Sequence, residues 1–271
     1  MQAMDYIFYV TSRGYAGDHW YSWFAKALNA HADIFAYLAN EGSRPKYFNE
    51  RLRSERPDII PFSHFMADVG MTYAAIGDCY SYRINQLLPL LEKVDATIPV
   101  VNLVRHPYVW LEFYVTWRVN NMRMPQGSAQ TLDQEWHSLH HELFAKLGLQ
   151  YAREDVERWA TFQGMCHLNY IVPDTNSHIR QVPLETLVRS PGLFQQVVSY
   201  LTRDRISSYA DDLLQQIYSW VYTPFRGEEY RRMVPKEIYA GWPQWKRDAL
   251  QLLHSEEARS RYQSLGYIYA E

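Results

Sequence analysis

The chain has 271 residues, with 27 Lys plus Arg against 30 Asp plus Glu, a net charge of −3, 47% hydrophobic residues and 15% aromatic ones. That composition belongs to a globular protein able to bury a large core, and the near-neutral charge excludes a chain that coats nucleic acid. No apolar run approaches the ~20 residues that cross a bilayer, no basic flank or leader-like run opens the chain, and Cys79 and Cys166 make no disulfide framework, so a cytoplasmic protein without a membrane span is expected.

In chain order, the run Asp5 to Thr11 is β-rich and short enough for a buried strand. It breaks into a loop with glycines at 14 and 17, after which Asp18 is a good N-cap for a helix through His31, with Trp20, Phe24, Ala27 and Leu28 on one face. Pro57 to Ser63 reads as a second short strand ending near His64, followed by a helix over Tyr82 to Val94. Ile98 to Val104 has almost no polar alternation, as expected for a parallel strand covered on both faces. It stops at Arg105-His-Pro107, and a helix follows from Val109 to Asn120, then a polar loop to Thr131. Residues 132–147 and 152–170 read as helices, His178 to Pro183 as a last strand, and Pro191 opens a helix through Leu201. Asp211 to Val221 and Gln244 to Leu253 are further helices. With no repeat or Gly/Ser linker, the expectation is one domain over 1–271, carrying a mainly helical insert at about 108–170. Strands alternating with helices predict an α/β fold with a central parallel sheet flanked by helices, whose ligands sit beyond the carboxyl ends of the strands.

That rule singles out residues 12–20, His64 and Arg105. A loop between a strand and a helix offers unpaired N–H groups and the positive end of the helix dipole to a phosphate, and glycines let the backbone approach it. The loop lacks the Gly-Lys-Ser/Thr of a Walker A sequence, which argues against a nucleotide kinase, and an ordinary connection with an Asp cap is its plain alternative. A guanidinium at Arg105 suits a phosphate or carboxylate, or a structural ion pair with, for instance, Glu112.

The order of these segments resembles that of the sulfotransferases that use 3′-phosphoadenosine-5′-phosphosulfate (PAPS). Residues 12–20, Ser-Arg-Gly-Tyr-Ala-Gly-Asp-His-Trp, lie without gaps on the family's 5′-phosphosulfate loop, and Val100 to Pro107 is similar to the strand and Arg-x-Pro that bind the 3′-phosphate. Val182 to Pro191 is similar to a later strand-Glu-x-Leu element, Ala240 to Trp245 to a Gly-x-x-Gly-x-Trp segment, and Leu265-Gly-Tyr267 to a frequent terminus. The resemblance implies a sulfotransferase-like, P-loop-like three-layer fold with C-terminal helices. It also implies PAPS as donor, 3′,5′-adenosine bisphosphate (PAP) as product, and a small-molecule or carbohydrate acceptor. Under it, Ser12, Arg13, Gly14, Tyr15, Ala16, Gly17, Asp18, His19 and Trp20 surround the 5′-phosphosulfate, Arg105 holds the 3′-phosphate, and Arg231 and Arg232 close over the nucleotide. His64, in a Ser-His pair at the end of the second strand, corresponds to the family's general base.

The departures are specific. The family's basic loop residue falls on Tyr15, its Ser on Ala16 and its two Thr on Asp18 and His19, while Phe113 stands where the 3′-phosphate motif usually has a Ser. A close carboxylate repels a dianion by roughly 1–4 kcal/mol. The alternative is a catalytically inactive or repurposed relative binding another ligand or a protein partner. His137, His140, His141 and Glu142 share a helix at spacings that bring imidazoles close, but a zinc site recruits ligands from a second element, and a polar face is the plainer reading. No metal is expected. Cys166-His167 are adjacent on a helix and point apart, which argues against a Cys–His nucleophile. Arg226, Arg231, Arg232 and Lys236 are either a solvated loop or the nucleotide-closing segment, and most of Trp110, Trp117, Trp136 and Trp159 are packing residues.

Overall fold

A computed structural model describes residues 7–13, 18–38, 73–80, 83–93, 97–122, 156–171, 178–222 and 234–270. The chain divides into two compact units, one of Met1–Val104 with Asp174–Tyr230, the other of Arg105–Pro173 with Arg231–Glu271.

The first unit holds five strands, β1 (Ile7–Ser12), β2 (Ile34–Leu38), β3 (Ala75–Cys79), β4 (Val100–Val104) and β5 (Ile179–Pro183), in the order β2-β3-β1-β4-β5, all parallel. Every residue of β1, β3 and β4 is buried, so these strands are covered on both faces, as the near-continuous apolar runs require. Phe8 pairs in register with Gly77, and a Cβ added there would stand 1.8 Å from the Phe8 ring. Only glycine lets that ring lie across the neighbouring strand.

Helix α1 (Asp18–Leu28) follows β1, and α2 (Ile84–Lys93) joins β3 to β4. These crossovers run in opposite directions across the sheet, and right-handed connections put the two helices on opposite faces. After β5 come a short helix α3 (Leu184–Leu187), α4 (Pro191–Leu201), α5 (Asp211–Ser219) and a 3₁₀ turn, Trp220–Tyr222. Ser190 caps α4 by accepting from the Leu193 N–H, with Pro191 in first position. Trp23 fastens α1 to α4 and α5. Its indole donates to the Ile217 carbonyl at 3.1 Å, and its ring meets Phe194 and Tyr218 at 6.2 and 5.7 Å. The expected first helix stops at Leu28 rather than His31, because Asn29 turns its amide onto β2, donating to the Ala36 carbonyl and accepting from the Ala36 N–H.

The second unit is helical among its described residues: α6 (Pro107–Met122), α7 (Val156–Leu168), α8 (Pro235–Gly241), α9 (Gln244–Leu253) and α10 (Glu256–Ser264). Helices α6 and α7 approach closely at Gly164, where a Cβ would meet Leu111 at 2.6 Å and Tyr114 at 2.8 Å, and Tyr114 donates to Gln163 at 2.6 Å. Glu112 accepts from the Trp242 indole at 2.5 Å and from the Lys246 ammonium, tying α6 to α8 and α9. Gly266, at φ +86°, ends α10 in a Schellman turn: its N–H donates to Gln263, and that of Tyr267 to Tyr262. No helix among the described residues is long and apolar enough to cross a membrane.

The fold class is as expected: a parallel central sheet flanked by helices. Strands β2 and β3 and helices α3, α8 and α10 add to the predicted elements, while the expected strand at 57–63 and helix at 132–147 lie outside the described residues.

Candidate functional site

Strands β1 and β4 are neighbours in the sheet, with Thr11 opposite Asn102 and Ser12 opposite Leu103. The chain leaves β1 toward β2 on one side and leaves β4 toward β5 on the other. In open parallel sheets such a divergence opens a crevice at the carboxyl ends, where ligands bind. The two segments singled out in the sequence therefore start from adjacent strands at one edge.

Ser12 is the last residue of β1 and is buried, and Arg13 follows it, partly exposed. Gly14, Tyr15, Ala16 and Gly17 lie outside the described residues, while Asp18, His19 and Trp20 form the first turn of α1. An acidic residue thus heads a helix whose N-terminus carries the positive end of its dipole. His64, Arg231 and Arg232 lie outside the described residues, as do His137, His140, His141 and Glu142. Among the described residues, no group of His, Cys, Asp and Glu has the arrangement of a metal site.

Arg105 follows β4 directly, is 2% exposed, and sets its guanidinium over the Phe113 ring, 4.3 Å from the centroid. Phe113 is the residue that departs from the resembled motif. It offers a ring face to the cation, which restricts the guanidinium plane. The carboxylate of Glu112, a candidate ion-pair partner for Arg105, takes Trp242 and Lys246.

The strand on the other side of β1 is β3, which sequence reasoning passed over, and its carboxyl half carries Asp78, 1% exposed, opposite Tyr9. The signal was present in Ala74-Ala-Ile-Gly-Asp-Cys79, a short apolar run closed by an acidic residue, but it is too short to separate from a helix turn by periodicity. Asp78 joins Thr11 and Ser12 as buried polar groups in the carboxyl halves of their strands, with Asn102 buried at the middle of β4. Both cysteines are free and buried. Burial, reinforced by the neighbouring Asp78 charge, raises the Cys79 thiol well above its ordinary value, and burial pushes Cys166 up to about 11. Neither is a nucleophile near neutral pH.

No family model and no curated protein matches the chain. Among solved structures, a sulfotransferase from Alicyclobacillus acidocaldarius is similar over 89% of this chain and 98% of its own, at 15% identity and a TM-score of 0.40.

Proposed function

We propose that the protein transfers a sulfuryl group from PAPS to a hydroxyl or amine of a small-molecule or carbohydrate acceptor in the cytoplasm. The observation that supports this most is the adjacency of β1 and β4: the two segments that resemble the donor-binding motifs leave the sheet side by side at its carboxyl edge. In this reading Ser12 through Trp20 surround the 5′-phosphosulfate, Arg105 takes the 3′-phosphate, and Arg231 and Arg232 close over the nucleotide. His64 accepts the proton of the acceptor as its oxygen or nitrogen bonds to sulfur. The bond from sulfur to the bridging oxygen breaks, and PAP leaves. Such transfers need alignment and charge stabilisation more than covalent help. The buried Arg105, braced on Phe113, fits the phosphate role, since a guanidinium of fixed orientation suits bidentate contacts.

The test is thermal unfolding with PAP. At ~100 times its dissociation constant a ligand adds about 2.7 kcal/mol, a readily visible shift. The expected result is stabilisation of the wild-type protein and a much smaller shift for Arg105→Ala. Equal shifts in both would remove Arg105 from the phosphate role.

A second reading, a repurposed fold binding another ligand, is favoured by one observation: Asp18 opens α1, where the family's phosphosulfate loop has a hydroxyl residue. No PAP-dependent shift at millimolar ligand would make this reading lead.

A further inference from the structure

His106, between Arg105 and Pro107, opens α6 and is buried. The Tyr108 N–H donates to its Nδ1 at 3.2 Å, and the Trp110 N–H donates to its carbonyl at 2.9 Å, so the imidazole and its own backbone cap the helix. Because Nδ1 accepts from a main-chain N–H, the ring proton sits on Nε2, which donates to the Ile268 carbonyl at 3.0 Å. Both partners are main-chain groups with fixed roles, which sets the tautomer. The Ile268 segment is fastened at further points. The Ala270 N–H donates to the Tyr108 hydroxyl at 3.2 Å, and Tyr267 stands edge-on to the imidazole at 5.3 Å. Tyr108 in turn stacks on Tyr239 at 4.9 Å.

We infer that His106 is a positioning residue for Arg105: it clamps the first turn of α6 to the segment Tyr267–Ala270 and so holds the main chain from which the guanidinium reaches over Phe113. The inference rests on the reading of Arg105 as the ligand of the 3′-phosphate. A cap alone does not call for histidine, since Ser, Asp or Asn serves better. A ring with two nitrogens both caps the helix and reaches Ile268. Holding a phosphate-binding guanidinium in one orientation is what such a supporting contact contributes to binding.

The experiment compares PAP with 5′-AMP, which lacks the 3′-phosphate, by titration calorimetry. His106→Asn keeps a capping acceptor but is too short to reach Ile268, and a chain ended at Tyr267 keeps His106 but loses its acceptor. Both variants are expected to lose about tenfold in PAP affinity and nothing in 5′-AMP affinity. Neither should lose more when combined with Arg105→Ala. His106→Gln, which keeps an acceptor and a donor, should recover much of the loss. If wild type prefers PAP over 5′-AMP and the variants keep that preference, His106 is only a cap and the inference fails alone. If the variants lose both ligands equally, the effect does not pass through Arg105 and the inference fails likewise. If wild type binds PAP no better than 5′-AMP, the donor reading fails and the inference with it.

Discussion

The two units bury their polar groups in different ways. On the sheet of the first unit, the buried polar residues Thr11, Ser12 and Asp78 lie in the carboxyl halves of their strands, and Asn102 at the middle of β4. The helices of that unit meet through Trp23, Phe24 and Phe194. In the second unit polar side chains run between the helices themselves. Glu112 binds Trp242 and Lys246, Gln163 binds Tyr114, and His254 bridges Asn169 and Tyr269. Buried polar side chains that bond from one helix to another fix how those helices pack. The helices of the first unit are thus held by aromatic packing and those of the second by polar cross-links, and substitution can separate the two.

The comparison is broken most severely at Trp23. Trp23→Ala removes a fully buried indole, its ring contacts with Phe194 and Tyr218, and its bond to Ile217. Large-to-small changes of this kind cost about 3–5 kcal/mol. Urea unfolding should show a markedly lower midpoint, and a midpoint within experimental error of wild type would mean that this aromatic cluster is not what holds α1, α4 and α5.

The Glu112–Lys246–Trp242 cluster provides the matching test in the helical unit. The Lys246 side chain is 4% exposed while that of Glu112 is 39% exposed, so the pair is buried on the cation's side only. Removing Glu112 strands a buried ammonium, and Glu112→Ala should cost about 2–3 kcal/mol, somewhat below the 3–5 of a wholly buried pair. Replacing the cation by an apolar side chain of similar length strands nothing, so Lys246→Met should change stability by less than ~1 kcal/mol. Equal losses in the two variants would show that the pair, rather than the burial of an unmatched charge, sets the energy.

The same contrast explains which parts could be read in advance. β1 and β4 were legible because their runs are apolar and rich in β-branched or aromatic residues, and α4 and α9 because proline marks their starts. β2 and β3 were not, since Ile34–Leu38 and Ala75–Cys79 contain alanine and glycine that carry no strand preference of their own. β3 is a strand because Gly77 admits Phe8, a tertiary reason with no local trace. At the sheet edge, Ser12 and Arg105 could be found from the rule on strand ends, and Phe113 was visible as a departure. Its stacking on Arg105, and the hold of His106 on Ile268, link residues that no spacing rule connects.

The last effect appears only at alkaline pH. Cys166 is buried in the helical unit, and burial raises its thiol from 9.0 to about 11. In the unfolded chain the thiol keeps its ordinary value. Between pH 9 and 11 the unfolded state therefore binds fewer protons than the native state, and unfolding becomes easier as pH rises. The contribution is fully present below pH 9 and lost by about 11, amounting to about 3 kcal/mol. Cys166→Ala abolishes that part of the slope, so its stability should fall less steeply than that of wild type across this window. Tyr108, raised to about 12 chiefly by burial, adds a further loss at higher pH that the substitution leaves untouched. Parallel alkaline slopes in the two proteins would show that Cys166 titrates alike in native and unfolded chains, and that the packing around α7 is open enough to admit the thiolate.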